Sequence, residues 1–295
     1  MATMTNTVQQ KFAAQALIAL SEMQAMGLVK FCEKGNAKGG ESYTFYRYKG
    51  AKAKDGLPSM YTSDATKAYE GDSGSGDGGE FEKFKVDIKV ISTQHKLSET
   101  DMNKTSLNAK DTLVRGMGLA LARKEDNEVL QAIIAKQSEL KKVDFSAGGT
   151  AKPLTEKSVF TKLAGRISAS HARAKMTPDG KQGVTVVMHI DDWETLSESD
   201  LFLMDDYQDA IKYGNNEVPT RLRGAEILIS EAVAKGTLYI VPSNTCGFAS
   251  WDNSVKTDAE FHPTDGRRWH LQLSESVGAI CIEPKYITEF KFKTA

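Results

Sequence analysis

The order of apolar and polar positions divides the chain into a front half of long elements and a back half of short alternating ones. Residues 7–26 predict an amphipathic helix. Val8, Phe12, Ala16, Leu20 and Met23 recur at spacings of three and four; Thr5, Asn6 or Thr7 is placed to cap it, and Gly27 to end it. Charge inside it is limited to Lys11 and Glu22, so it reads either as a core helix or as an arm that docks on a neighbour or an internal scaffold. Residues 33–42, rich in Gly and Lys, read as a loop. Residues 43–48 have the aromatic and β-branched content of a strand. Residues 49–80 carry no periodic element, and their end, 71–79, has five glycines in nine positions, which favours a flexible tip. From Phe84 the alternation is strict, with Phe84, Val86, Ile88 and Val90 set against Lys85, Asp87 and Lys89, which predicts a strand with one wet face. Residues 41–93 are thus a two-strand arm, too thin to bury both faces against itself. The nearest partner for it is another copy of the chain.

A single long helix is predicted over 105–142, capped by Thr105 or Ser106. Leu113, Val114, Met117, Ala120, Leu121, Val129, Leu130, Ile133 and Ile134 trace its apolar stripe. At ~1.5 Å per residue it would reach ~55 Å. The usual helix has only about 11–12 residues. Gly116 and Gly118 weaken it by roughly 1 kcal/mol each and allow another segment to come close. A second helix is predicted at 155–175, with Val159, Phe160, Leu163, Ile167 and Ala174 on one side. After the turn Thr177-Pro178-Asp179-Gly180 comes a buried-strand run from Val184 to Ile190. Asp191 or Asp192 then caps a short helix through Leu196. Strand-like runs follow at 225–230, 237–241, 268–273 and 277–282, with helical turns near 200–212 and 231–235. The last alternating run, 286–292, is expected to return to the sheet that the arm left. No repeat of 20–50 residues is present.

Length and charge narrow the function classes. The 295 residues suffice for one large domain or two modest ones. A net charge of −1 argues against a general nucleic-acid binder. Cys32, Cys246 and Cys281 are far apart in sequence and odd in number, giving neither a metal-ligand spacing nor a disulfide framework, so a reducing compartment is expected. The start of the chain lacks signal-peptide features, and no apolar run approaches the ~20 residues that span a bilayer. The expectation is a protein made in the cytoplasm, for which the sequon Asn103-Lys104-Thr105 has no meaning.

The motifs of catalysis fail one by one. Gly116-x-Gly118 lies mid-helix and lacks a third small residue at Leu121. Gly74, Gly76 and Gly79 fit a dinucleotide-binding spacing but lead into a strand. No phosphate-binding GxxxxGK[ST], HExxH or GxSxG occurs. His95, His171, His189, His262 and His270 have no partner at ligand spacing on a helix face. His189, on an apolar run, reads as a core histidine; His262 and His270 flank a turn containing Asp265, Arg267 and Arg268. Asp72 and Asp77 lack the remaining ligands of a calcium loop. The pairs Asp191-Asp192 and Asp205-Asp206 read as caps or solvated carboxylates. Trp193, Trp251 and Trp269 read as core or interface residues, because no basic stripe interleaves with them. The expectation is no enzyme, no cofactor and no metal.

The order of elements resembles the major capsid proteins of tailed bacteriophages, the Hong Kong 97-type fold. The most specific stretch is Asn108 to Leu130, similar to that family's spine helix, where a small-residue and apolar run precedes an Ala-x-Lys-x-Asp-x-x-x-Leu pattern (Ala122 to Leu130). Val184 to Leu196 resembles the entry to the axial domain. Leu222-x-Gly224-x-x-Ile227-x-Ile229-Ser230 resembles a later axial stretch. The resemblance implies an α+β fold arranged as an N-terminal arm (1–40), an extended loop (41–93), a peripheral domain with the spine helix (94–183), an α/β axial domain (184–275) and a return to the peripheral domain (276–295). It implies a coat protein that self-assembles through pentamers and hexamers into an icosahedral head around double-stranded DNA, located in the virion. Family members with a fused scaffold carry roughly a hundred extra N-terminal residues. The position of the spine here implies a separate scaffolding protein or none, with a portal and possible decoration proteins, and with DNA contacted non-specifically. Tyr43, Phe45, Tyr46, Phe84, Val86, Phe12 and Leu20 are the expected inter-subunit contacts, and loops 205–219 and 243–266 are expected at ring centres. Two alternatives stand: an encapsulin-like nanocompartment shell, and a cytosolic α/β enzyme with 49–80 as a lid.

Overall fold

The structure is a computed structural model. It describes residues 27–38, 40–48, 81–98, 107–146, 151–176, 183–199, 211–213, 219–252, 254–262 and 268–294, with residues 12, 14–21 and 24 of the N-terminal segment. The elements in chain order are α1 (residues 14–21), β1 (Glu33–Ala37), β2 (Ser42–Tyr48), β3 (Phe81–Asp87), β4 (Lys89–Ser98), α2 (Leu107–Ala135), β5 (Lys141–Asp144), α3 (Lys157–Met176), β6 (Val184–Met188), α4 (Ile190–Ser197), β7 (Ile211–Tyr213), β8 (Pro219–Leu222), β9 (Ala225–Ile229), β10 (Thr237–Pro242), β11 (Cys246–Trp251), β12 (Lys256–His262), β13 (Arg268–Cys281) and β14 (Thr288–Lys291).

Two sheets divide the described core. In a five-stranded sheet, β13 pairs with β4 along one edge and with β12 and then β11 along the other, and β1 lies parallel to β11 outside it. The long helix α2 covers this sheet. Val114, Met117, Leu121, Val129, Leu130 and Ile133 of α2 share one apolar cluster with Ile91, Leu271, Leu273, Val277 and with Phe12, Ala16 and Leu20 of the N-terminal segment. The seven-stranded sheet runs β5-β14-β10-β6-β9-β8-β7. Its cluster joins Val186, Met188, Leu238, Ile240 and Phe290 to Val159, Phe160, Leu163 and Ile167, the predicted stripe of α3. Between β8 and β9, Arg223 (φ 52°) and Gly224 (φ 81°) form the two-residue left-handed turn that suits a hairpin.

Several expectations change. Residues 33–37 are strand rather than loop: despite a sequence without β-branched residues, β1 finds five parallel partners from Gly247 to Trp251. The alternation from Phe84 breaks at Ile88, so that Val90 is 67% exposed and Ile91 points into the core instead. One extra residue inverts the two faces of a strand, and here it lets the chain pass from the arm to the five-stranded sheet. The long helix stops at Ala135, giving 29 residues and a length of roughly 43 Å. Turns closed by Lys136 N–H to Ile133 O and Gln137 N–H to Ile134 O (both 3.0 Å) follow, and 141–144 leave as β5 to pair with β14. The runs 268–273 and 277–282 are one strand, β13. Residues 243–266, expected as an inward loop, contain β11 and β12, so this stretch belongs with the sheet under α2 rather than with β6. The final run, as β14, lies between β5 and β10 and does not rejoin the arm's sheet. The short helix is capped by His189, whose Nδ1 accepts the Asp191 N–H at 3.1 Å; neither aspartate caps it.

Candidate functional site

The arm's root is a two-stranded ribbon. β2 and β3 pair in register from Ser42↔Asp87 to Tyr48↔Phe81. Paired residues share a face, so Tyr43, Phe45, Phe84 and Val86 form one side, and Thr44, Tyr46, Lys83 and Lys85 the other. The apolar side is not free. Phe45 and Val86 are buried, and with Tyr43, Phe84 and Ile88 they pack on Ala249, Ile280 and Ile282 of the chain's own sheet region. Tyr43 meets Phe45 edge-on, with ring centroids 4.9 Å apart.

Glycines make the seat. A Cβ on Gly35 of β1 would lie 2.4 Å from the Tyr43 ring, one on Gly247 of β11 2.7 Å from the Phe45 ring, and one on Gly278 of β13 2.5 Å from the Asp87 carbonyl oxygen. Gly35, Ala249 and Gly278 are lateral partners across β1, β11 and β13, so they form a shallow furrow in which the ribbon lies. Arg47 fastens its edge: it pairs with Glu33 at 3.3 Å and donates to the Asn244 carbonyl. Where the chain leaves the ribbon, Lys89 pairs with Glu128 of α2 at 2.6 Å, and Lys124 reaches the same carboxylate at 3.2 Å. These cations hold the Glu128 carboxyl below its ordinary range, against the opposing effect of its partial burial, the largest single influence on it.

The N-terminal segment is held to α2 by carboxyls. Gly118 lets α1 come close: a Cβ there would sit 3.1 Å from Ala19 Cβ and 3.2 Å from the Leu20 nitrogen. Gly116, by contrast, faces open space. Asp126 Oδ1 accepts the Leu28 N–H at 2.7 Å and the Val29 N–H at 3.3 Å, holding the short 3-10 turn Leu28–Phe31. Burial pushes Asp126 up to about 6. Glu125, fully buried, accepts both Gln24 Nε2 contacts, at 3.0 and 2.9 Å, and faces the Glu275 carboxyl of β13. Burial, then Glu275, pushes Glu125 up to about 9. Glu275 Oε2 is buried without a hydrogen-bond partner.

Of the residues expected at subunit contacts, Phe12, Leu20, Phe45 and Val86 are buried in the chain's own core, and Tyr43 and Phe84 are half-buried against Phe45. A side chain already buried has little area left to give a neighbour. Tyr46, 56% exposed on the outer side of the ribbon, retains its surface. The large apolar groups exposed among the described residues are Leu17 and Ile18 on α1, Tyr46, Val90, Ile190 and Ile229. Sequence reasoning missed Gly35, Gly247, Gly278, Gln24, Glu125 and Glu275, whose roles depend on partners distant in the chain.

The candidates for chemistry disperse. His262 and His270 are neighbours at 4.2 Å across β12 and β13, on a half-exposed surface, and the turn between them lies outside the described residues. Asp72, Asp77, Asp205, Asp206 and the expected lid also lie outside them. Asp191 pairs with Lys235, and Asp192 accepts the Gly236 N–H at 2.8 Å. Trp193 is core, and Trp251 Nε1 donates to the Gly40 carbonyl at 2.9 Å. The three cysteines do converge: Cys246 and Cys281 are cross-strand partners, and Cys32 lies in the same buried cluster, where burial raises its thiol far above the ordinary range. They are inert thiols of a core. Among the described residues no group of three or more His, Cys, Asp or Glu is placed to hold a metal ion, and no helix is long and apolar enough to cross a membrane.

No family model matches the sequence, and no curated protein matches it. Solved structures do match over nearly the whole chain. The capsid of the cyanophage P-SCSP1u is 13% identical with a TM-score of 0.60, covering 90% of this chain and 87% of that one. A virus-like particle from Pyrococcus furiosus is 12% identical with a TM-score of 0.58, covering 96% of this chain and 99% of that one. The capsid of an empty GTA particle is 12% identical with a TM-score of 0.59, covering 92% and 90%. The fold is the Hong Kong 97-type capsid fold.

Proposed function

We propose that this chain is a major capsid protein, which assembles through pentamers and hexamers into an icosahedral head shell around phage double-stranded DNA. The observation that supports it best is the end-to-end agreement of fold with chains of solved capsids, extending over 90% or more of this chain in the three comparisons above. In this reading β2 and β3 are the root of the extended loop. The segment before β1 is the N-terminal arm, folded back onto α2. The five-stranded sheet with α2 forms the peripheral part, and the seven-stranded sheet with α3 and α4 the axial part. The role is structural rather than enzymatic. A shell needs one chain to make repeated heterologous contacts around rotation axes. A ribbon anchored by one face and wet on the other meets that need, because it reaches across a neighbour without disturbing either core. Its partners are copies of itself, a separate scaffolding protein, a portal, decoration proteins and the packaged DNA; its place is the virion.

The test is size-exclusion chromatography with light scattering and negative-stain microscopy, on the chain alone and with a scaffold. Shells, or free pentamers and hexamers, are expected; a compact dimer that never assembles with the scaffold present would refute the reading. The match to a virus-like particle, which covers 99% of that chain, favours a nanocompartment as the second reading. Purified shells filled with protein cargo and lacking nucleic acid would decide for it.

A further inference from the structure

We propose that the outer face of α3 is a binding groove for the phosphodiester backbone of duplex DNA. α3 carries Lys157, Lys162, Arg166, Arg173 and Lys175 and no acidic residue, although the chain as a whole is balanced at −1. Its apolar stripe is fully committed to the seven-stranded sheet, so the opposite side is fixed in orientation. Lys162, Arg166 and Arg173 form one row along the edge of that side, since steps of four and seven residues return to nearly the same helix angle, and Arg166 and Arg173 are half-buried there. Beside it runs a row of small residues. Ser158, Thr161, Gly165 and Ala169 line, with Lys162 and Arg166, a groove of about 450 Å³. Nothing lies within 4 Å of where a Gly165 side chain would begin, so its floor is open.

Positive charge predominates here: Glu156 accepts the Ser158 hydroxyl at 2.8 Å at one end of the groove, and that carboxylate is already paired with Lys152. Among the described residues none of Lys162, Arg166 and Arg173 makes an ion pair, and Arg166 Nε is buried with no acceptor. Lys141 at the start of β5 is held below the ordinary lysine range, by desolvation first and then by Arg173 and Arg166. A polyanion is the complement that such a face lacks.

The lining selects between polyanions. The exposed large apolar groups of the described chain all lie elsewhere, and the groove has no aromatic residue. A protein partner is held by apolar and aromatic anchors at a desolvated centre. Base stacking needs aromatic platforms. Cations and hydroxyls without either are the groups that contact phosphate, giving binding without sequence preference. Along α3 the three cations span about 16 Å. Each strand of a duplex presents a phosphate every ~3.4 Å of helix axis, so the row can meet several. A role in holding DNA inside a shell rests on the capsid reading; the affinity of the groove for DNA does not.

The experiment measures fluorescence anisotropy of a labelled DNA duplex against unassembled subunits over a range of salt. The wild type is compared with a Lys162→Gln/Arg166→Gln/Arg173→Gln variant and with the charge-keeping Lys162→Arg/Arg166→Lys/Arg173→Lys variant. Loss of three phosphate contacts flattens the slope of log K against log salt by about 2 to 3. The glutamine variant is expected to show that flattening with a fold that melts like the wild type, while the charge-keeping variant retains the slope. An unchanged slope in the glutamine variant, or no DNA binding by the wild type, overturns the proposal. So does a glutamine variant that binds DNA normally but no longer assembles, since the face would then be a protein contact. Microscopy of shells from the same preparations reads the capsid proposal separately, so either can fail alone.

Discussion

At Gly278 the sheet has room for a hydrogen atom and nothing larger, because the Asp87 carbonyl stands 2.5 Å from where a methyl group would go. The obstacle is backbone, which cannot rotate away. Gly278→Val should therefore cost about 1–3 kcal/mol through overpacking. The loss should be local: amides of 42–48 and 81–87 should exchange faster while those of β6 and β10 keep their protection. Uniform protection in the variant would mean that the ribbon does not need this seat. Glu125 gives a second expectation at this scale. Its folded-state value, about 9, lies above the 4.5 of a free carboxyl, and that of Asp126, about 6, above 3.8. Between those limits the folded chain binds more protons than the unfolded one, so stability falls as pH rises. What these groups contribute is whole below about pH 4 and is lost through pH 6 and then 9. The urea midpoint should therefore decline from pH 7 to 9 in the wild type and stay level over that range in Glu125→Gln, which keeps a neutral hydrogen-bonding group. A parallel decline in both proteins would place the titration at another residue.

Among elements, those legible in the sequence are the ones whose own periodicity fixes a buried face. Val159, Phe160, Leu163, Ile167 and Ala174 announce α3, and every one of them is buried. β6 is legible as an unbroken apolar run, and all five of its residues are buried. The elements that escaped are defined by partners instead. β1, Glu-Lys-Gly-Asn-Ala, looks like a loop because its glycine serves a ring from another strand. β13 looks like two strands because Ser274-Glu275-Ser276 interrupts its apolar pattern, and Glu275 is there to meet Glu125 of α2. β11 and β12 mix small and polar residues that become strand only against β13, β11 with β1 on its other side. Aromatic alternation at Phe45 and Val86 likewise marks a buried face without saying whose body buries it; here it is the chain's own. The ribbon's outer part remains the element proposed to reach a neighbour. Deleting 50–79 should leave subunits that melt normally and form no shells in microscopy; intact shells from the deletion would end that proposal.

For the whole molecule, surface apolar groups that serve no internal cluster are the places to look for neighbours. Leu17 and Ile18 stand side by side on the outside of α1. Replacing both with glutamate should change subunit stability by less than about 0.5 kcal/mol each, as exposed substitutions do. Assembly measured by light scattering should nevertheless fall sharply. Normal shells from that variant would show that α1 has no neighbour.

The broken strand at Ile88 has a mechanical meaning. The outgoing strand of the ribbon continues, one residue later, into β4, and β4 is bonded to β13 at ten consecutive positions. Tension applied through the ribbon therefore runs along β4 and loads all ten rungs together in shear, rather than peeling them one at a time. Lys89, tied to Glu128 of α2, stands at the first rung and shares the load with the helix. If the proposed shell is pressurised from within and neighbouring copies pull on one another through these ribbons, each tug is taken up along the stiffest direction of the fold.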